Sequence, residues 1–147
     1  MIALGCDHGG FGLMQEVRKY LDEVGYAYKD FGAFSAESCD YPEYGQIVAR
    51  AVASGECGKG ILICGTGIGM SMTANKVPGI RAALCNDCYS AELTRRHNDA
   101  NILTLGARVT GAGHALKIVE VFLNTDFDGG RHVRRVEMIN SLDEHEN

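Results

Sequence analysis

The sequence predicts an α/β fold, a Rossmann-like three-layer sandwich in which a five-stranded parallel sheet lies between helices on both faces. Short apolar runs alternate along the chain with longer segments whose apolar residues recur every three or four positions. The run Ile61, Leu62, Ile63 is apolar without interruption and is bounded by glycine, which is typical of a strand buried on both faces. The length of 147 residues suits one core, so we expect a single domain over 1–147.

The five strands follow from the apolar runs. The first starts at Ile2 and ends at Cys6, and the second is weaker because Lys29 and Asp30 interrupt it. The predicted strands are 2–6, 26–31, 61–64, 81–85 and 102–105. Since a helical segment follows each strand, the connections are crossovers and the sheet is parallel.

The helices follow from apolar spacing and from signals at their ends. In the first helix Leu13, Val17 and Leu21 share one face, and Gly25 is placed to end it. Pro42 suits the first turn of the second helix, after a loop over 32–41. The predicted helices are 11–24, a second from about 42, a third to about 76, 90–97, a fifth around 115–123 and a last one over about 133–145.

Composition and charge exclude several classes of protein. The formal net charge is −5 and no basic run exceeds two residues, which argues against a nucleic-acid-binding surface. No apolar run reaches the roughly 20 residues that cross a bilayer, and the first residues reach a charge at Asp7, so we expect neither a membrane protein nor a signal peptide. Six cysteines without an export signal then indicate reduced thiols and a cytoplasmic location.

The segment 59–74, KGILICGTGIGMSMTA, carries the strongest functional signal. Three glycines in five residues, Gly65, Gly67 and Gly69, allow a ligand to approach the backbone closely, and the helix that follows directs free N–H groups into the turn. The Gly-Lys-Ser/Thr of an NTPase phosphate loop is absent. The turn therefore fits either a dinucleotide-binding turn, with Asp87 holding a ribose, or a nest that stabilises a small oxyanion.

The cysteines also allow two interpretations. Cys64 continues an apolar strand, where cysteine is often a buried filler, but it also lies directly before the glycine turn, where a thiol becomes a plausible base or nucleophile. Cys85 and Cys88 have the spacing of half a zinc site, and no second pair at ligand spacing accompanies them. We expect Cys85 and Cys88 to be structural.

Three further polar groups are ambiguous from local pattern alone. Asp7 and His8, after the first strand, could hold a sugar and a phosphate, or Asp7 could cap a helix. His97 could be a general acid or base, or it could stabilise the end of the fourth helix. The basic residues from Arg131 to Arg135 start the last helix, which is unfavourable for the helix dipole and indicates either a bound anion or a solvated basic face.

Five motifs in order resemble the type B ribose-5-phosphate isomerases, over essentially residues 1 to 145. They are GCDHGGFGLM, DYPEYG, ILICGTGIGMSMTANKVPGIRAA, RRHNDANILTLGARV and GGRHVRRVE. The wider family includes isomerases of galactose 6-phosphate and allose 6-phosphate. The resemblance implies interconversion of ribose 5-phosphate and ribulose 5-phosphate.

The resemblance also implies roles for individual residues. Cys64 would move a proton between C2 and C1, Thr66 would assist it, and His97 would open the furanose ring. The backbone of the glycine turn would hold the enediolate oxygen, while His8 and the arginines would take the phosphate. The residues implied to contact substrate are Asp7, His8, Tyr41, Gly65, Thr66, Gly67, Ile68, Gly69, Asn98, Arg108, Arg131 and Arg135.

The family resemblance further implies that no metal ion and no organic cofactor is needed. It implies a homodimer, or a dimer of dimers, with the site between subunits and the last helix packed on the partner. Two alternatives stay open at this point. The substrate could be a 6-phosphohexose such as allose or galactose 6-phosphate, or the chain could be a non-catalytic nucleotide-binding module that uses the GxGxG pattern and Asp87.

Overall fold

A computed structural model describes residues 1–145. Five strands form one sheet in the order β2-β1-β3-β5-β4, and every neighbouring pair is parallel. The strands are β1 (Ile2–Cys6), β2 (Tyr28–Asp30), β3 (Lys59–Cys64), β4 (Ala82–Leu84) and β5 (Ile102–Gly106). The predicted parallel sheet is therefore confirmed.

Helices cover both faces of this sheet. They are α1 (Phe11–Val24), α2 (Tyr41–Ala53), α3 (Ile68–Ala74), α4 (Cys88–Asn98), α5 (Ala112–Asn124) and α6 (His132–Ser141), with a 3-10 turn at Leu142–His145. Helices α1, α4 and α5 pack together on one face, α2 and α3 pack on the other, and α6 packs against α4. The predicted three-layer α/β sandwich is confirmed.

The central strand β3 shows how the sequence builds two apolar layers. Ile61 and Ile63 point into the layer under α1 and α5, whereas Leu62 and Cys64 point into the layer under α2 and α3. The first three of these side chains are fully buried. An uninterrupted apolar run is required because both sides of the strand face helices.

Several element boundaries differ from the sequence prediction by a few residues, among them those of β2, α3 and α6. The second strand is shorter than 26–31 because it lies at the sheet edge and pairs only with β1. Helix α3 ends at Ala74 rather than near 76, because the Asn75 side chain turns to bond both the N–H and the carbonyl of Ala82 on β4. The last helix ends at Ser141, and the residues to 145 form the 3-10 turn instead.

The topology creates a crevice between β1 and β3. From β1 the chain crosses to β2 on one side, and from β3 it crosses to β4 and β5 on the other side. In open parallel sheets, ligands bind beyond the carboxyl ends of the strands at such a switch point. Within residues 1–145, no helix is both long enough and apolar enough to cross a membrane.

Candidate active site

A cleft of about 400 Å³ opens at the carboxyl ends of β1, β3 and β5. Its lining residues come from the turns that follow these strands and from the first turns of α2 and α3. They are Asp7, Tyr41, Cys64, Gly65, Thr66, Ile68, Gly69, Met72 and Arg108. Eight of these nine residues belong to the set implied by the family resemblance, and Met72 is an addition that forms an apolar wall.

The Cys64 thiol forms the floor of the cleft. The residue is only 4% exposed, and its Sγ accepts a hydrogen bond from the Gly67 N–H at 3.1 Å. A backbone donor aimed at sulfur stabilises negative charge on it. Burial and nearby carboxylates raise the pKa of two other buried cysteines, Cys6 and Cys85, to about 12. Among the described residues, Cys64 is the one thiol that lines this cleft.

The glycine turn that follows Cys64 depends on the absence of side chains. Gly67 has a φ of +80°, and a Cβ there would lie 2.6 Å from Leu84 Cδ1. A Cβ on Gly106 would lie 2.5 Å from the Thr66 carbonyl oxygen. The turn is thus wedged against β5, and any larger residue at these two positions would displace it.

Free backbone donors of the turn line the cleft. Within the described part of the chain, the N–H groups of Gly65, Thr66 and Gly69 have no hydrogen-bond acceptor. The Gly67 N–H is committed to Cys64, and the Ile68 N–H donates to Thr66 Oγ1 at 3.2 Å. Since Thr66 Oγ1 accepts that bond, its hydroxyl hydrogen is available to a ligand. The turn therefore offers several donors beside one thiol.

Asp7 and His8 follow β1; Asp7 lines the cleft, and His8 is not among the lining residues. Asp7 is 6% exposed, and its Oδ1 accepts the Gly10 N–H at 3.0 Å, which shapes a tight turn rather than a helix cap. The Cys39 N–H donates to Nδ1 of His8 at 3.3 Å. In the neutral ring this bond places the hydrogen on Nε2, so His8 presents a donor to a ligand.

Arg108 and Tyr41 form opposite rims of the cleft. The guanidinium of Arg108 lies against two glycine backbones, since a Cβ on Gly65 would be 3.1 Å from Nη1 and one on Gly9 would be 3.5 Å from Nη2. Arg108 is exposed and forms no ion pair with the side chains that the structure describes, those of residues 1–143. The Tyr41 ring covers Gly69, where a Cβ would be 2.6 Å from the ring. An unpaired cation at the rim suits an anionic ligand.

Four further residues implied by the resemblance form a second cluster at the far end of the sheet. Helix α4 starts beside the carboxyl end of β4 and runs back for 11 residues, or about 16 Å. Its last turn therefore lies at the amino ends of the strands, where Arg81 Nε donates to the Asn98 carbonyl at 3.0 Å. We call His97, Asn98, Arg131 and Arg135 the far cluster. They do not line the cleft of the same chain.

The far cluster is basic, and its His97 lies against a second histidine, His132. The rings of His97 and His132 stack with their centroids 4.2 Å apart. Burial and the nearby positive charges of His97 and Arg131 lower the pKa of His132. Arg131 and Arg135 are exposed and form no ion pair with the described residues. This surface therefore also suits an anion.

Two alternatives from the sequence lose support. Asp87 caps α4, because its carboxylate accepts the Ser90 N–H at 2.6 Å and the Ser90 hydroxyl at 3.1 Å. The backbone bond from Ser90 lowers the pKa of Asp87, and a carboxylate used this way is not free to hold a ribose. The second alternative is a zinc-site role for Cys85 and Cys88. All six cysteines are free thiols and Cys85 is buried, which agrees with the predicted reduced state and with a structural Cys85.

Comparison with known proteins agrees with this geometry. The model of the family described as Ribose/Galactose Isomerase matches residues 2–139. The chain belongs to the ribose/galactose isomerase family. It is 50% identical to the ribose-5-phosphate isomerase B of Escherichia coli, over 99% of this chain and 98% of the relative. The structure of the Clostridium thermocellum ribose-5-phosphate isomerase B is 52% identical and covers 99% of each chain with a TM-score of 0.98.

A relative with a different named substrate belongs to the same family. The galactose-6-phosphate isomerase subunit of Clostridium acetobutylicum is 37% identical over 98% of this chain and 82% of the relative. Family membership therefore fixes the isomerase class and leaves the choice of sugar phosphate to the site itself.

Proposed function

We propose that this chain interconverts ribose 5-phosphate and ribulose 5-phosphate. The observation that carries the proposal is the Cys64 thiol on the floor of an open cleft, beside the unused N–H groups of the glycine turn. Relatives of about half identity that are named ribose-5-phosphate isomerase B favour the pentose over other sugars. Six free cysteines fit a reducing compartment, so we place the enzyme in the cytoplasm.

The proposed reaction moves one proton between two carbons. The Cys64 thiolate takes the hydrogen from C2 of the open-chain aldose, and the electron pair of that C–H bond forms the C1–C2 double bond of an enediolate. The Cys64 thiol then donates a proton to C1, the oxygen on C2 loses its hydroxyl proton and becomes the ketone, and the oxygen on C1 gains a proton and becomes a hydroxyl. A positioned base of this kind contributes roughly 10²–10⁴-fold to the rate.

The enediolate oxygen gathers negative charge during this step. Gly65, Thr66 and Gly69 line the cleft, and their N–H groups have no hydrogen-bond acceptor among the described residues. Each such donor contributes about 3 kcal/mol to stabilising the charge. Because main-chain amides can take the part that a Lewis acid plays elsewhere, the scheme needs neither a metal ion nor an organic cofactor.

The substrate also needs a group that opens its furanose ring and cations that hold its phosphate. We assign ring opening to His97 and phosphate binding to His8, Arg108, Arg131 and Arg135. Asp7, Tyr41 and Asn98 position the sugar. His97, Asn98, Arg131 and Arg135 lie in the far cluster, so one chain alone cannot bring all of these groups to one substrate.

A homodimer resolves this separation. If the far cluster of one chain meets the cleft of a second copy, a two-fold arrangement completes two equivalent sites. The surfaces involved are unusually apolar for exposed residues: Ile68 and Met72 lie beside the cleft, and Val133, Met138 and Ile139 lie on α6 near the far cluster. The proposed interface therefore uses the exposed apolar residues of α6 and those beside the cleft.

Turnover measurements test the substrate and the reaction together. We expect the purified protein to convert ribose 5-phosphate with a higher kcat/KM than allose 6-phosphate or galactose 6-phosphate. A preference for a hexose phosphate would replace the pentose assignment with the family's other substrate class. Tight binding of NAD or AMP by calorimetry, together with no isomerase activity on any of the three sugars, would overturn the proposal in favour of a nucleotide-binding module.

A further inference from the structure

One group of metal-ligating side chains lies outside the cleft in the described part of the chain. His97, Asp128 and His132 each offer one ligand atom, and these atoms lie within 4.8 Å of one another. The two imidazole rings are held nearly parallel, with an interplanar angle of 13°. Two imidazoles and one carboxylate are a ligand set that zinc uses when it keeps one position open for water or another ligand.

Backbone hydrogen bonds hold the carriers of these ligands together. The Asp128 N–H donates to the Arg96 carbonyl at 3.0 Å, which ties the loop before α6 to the last turn of α4. The His132 N–H donates to the Gly129 carbonyl at 3.1 Å. The three ligands therefore come from two segments that are already fixed to each other, so little chain entropy is lost when an ion binds.

The Asp128 carboxylate still has lone pairs available to bind a metal ion. Both of its oxygens lie 3.2 Å from the same Arg96 Nε–H, so one N–H group is shared between them. A carboxylate has about four lone-pair positions, and the outward ones stay free. The arginine also orients the carboxylate, which is what outer-shell partners do in established metal sites.

The ligand atoms select the kind of ion. Arg96 and Arg131 are close by and repel every divalent cation, but Mg²⁺ and Ca²⁺ rely on several oxygen ligands, whereas imidazole suits Zn²⁺. Imidazole nitrogens bind Zn²⁺ through in-plane lone pairs at about 2.0–2.1 Å, so the two stacked rings must tilt out of their parallel arrangement to direct both nitrogens at one ion. We propose that His97, Asp128 and His132 form a zinc site, and that the bound ion inhibits the enzyme by occupying a ring nitrogen of His97.

The proposed inhibition by zinc rests on the proposed function, because it requires that His97 be needed for turnover. The proposed binding of zinc does not rest on that function. The test uses the full-length chain after treatment with a chelator, titrated with Zn²⁺ by calorimetry and with Co²⁺ as a coloured substitute. We expect about one ion per chain. His132→Ala and Asp128→Asn should each weaken binding at least about tenfold, which is the lower bound for losing even an outer-shell partner.

Two control variants separate this site from unspecific binding. His114→Ala removes an exposed histidine on α5, and Cys64→Ala removes the thiol of the cleft. Both should bind Zn²⁺ as the wild type does. Unchanged affinity in both His132→Ala and Asp128→Asn would overturn the zinc site, as would loss of binding in Cys64→Ala.

The activity measurements distinguish failure of the two proposals. Zn²⁺ should abolish ribose 5-phosphate turnover at the concentration that fills the site, and a chelator should restore it. A filled site with undiminished turnover would refute inhibition and leave the binding site standing. The protein could instead bind zinc at this site but show no isomerase activity before zinc is added. That result would refute the proposed function and the inhibition, and it would support the zinc site.

Discussion

Mixing two inactive variants, Cys64→Ala and His97→Ala, should restore activity. In the structure these side chains lie at opposite ends of the sheet, so each proposed site takes Cys64 from one chain and His97 from the other. Random exchange of equal amounts makes about half of the dimers mixed, and in a mixed dimer one of the two sites contains both wild-type residues. The expected activity is therefore about a quarter of the wild-type value. The assay is ribose 5-phosphate turnover after the two variants are unfolded and refolded together.

The matched control combines two variants from the same side of the site. Mixing Cys64→Ala with Asp7→Asn should restore nothing, because both residues line the cleft of one chain and every site of a mixed dimer then keeps one defect. No recovery in the first mixture, when exchange of subunits has been shown by mass spectrometry, would refute the shared site. Equal recovery in both mixtures would refute the division of residues between the two ends of the sheet.

Other consequences of the structure can be measured on single variants. Arg135→Ala should raise KM at least about tenfold with a smaller change in kcat, since a charge-assisted bond to phosphate contributes roughly 1.5–3 kcal/mol; an unchanged KM would remove Arg135 from the phosphate site. Gly106→Ala should lower the free energy of unfolding by about 1–3 kcal/mol and slow turnover, because the new Cβ meets the glycine turn. Gly12→Ala, with nothing within 4 Å of the new Cβ, should instead raise the free energy of unfolding by about 0.5–1 kcal/mol, and urea unfolding compares the two. Iodoacetamide should modify Cys64, and substrate should protect it, whereas the raised pKa of Cys85 should leave that thiol unmodified near pH 8; mass spectrometry of digested protein distinguishes them.

The fold was predictable where the local pattern and the tertiary environment agree. The apolar run of β3 identifies a strand covered on both faces, and the glycine after α1 marks the end of that helix. The predicted ends of helices and strands were wrong where a contact with a residue far away in the sequence sets them. Asn75 ends α3 by bonding to Ala82 on the edge strand β4, and that contact is invisible in the spacing of apolar residues.

The contents of the cleft were easier to predict than its arrangement. Cys64, its glycine turn and Asp7 all follow strands, so their meeting at the carboxyl edge follows from the parallel topology. His97 ends a helix that runs antiparallel to those strands, so the same topology places it at the opposite edge. The Cys39 N–H that orients His8 comes from a loop 31 residues away, and no local pattern indicates such a contact.

Hydrogen exchange at the reacting carbons tests the role of Cys64 most directly. In D₂O the wild type should exchange the hydrogen that passes between C2 and C1 at a rate comparable to turnover, as followed by NMR of the sugar phosphate. Cys64→Ala should lose at least about 10²-fold of both exchange and turnover, while the Kd for ribose 5-phosphate changes little because the phosphate contacts are intact. Exchange at the wild-type rate in Cys64→Ala would show that another group carries the proton.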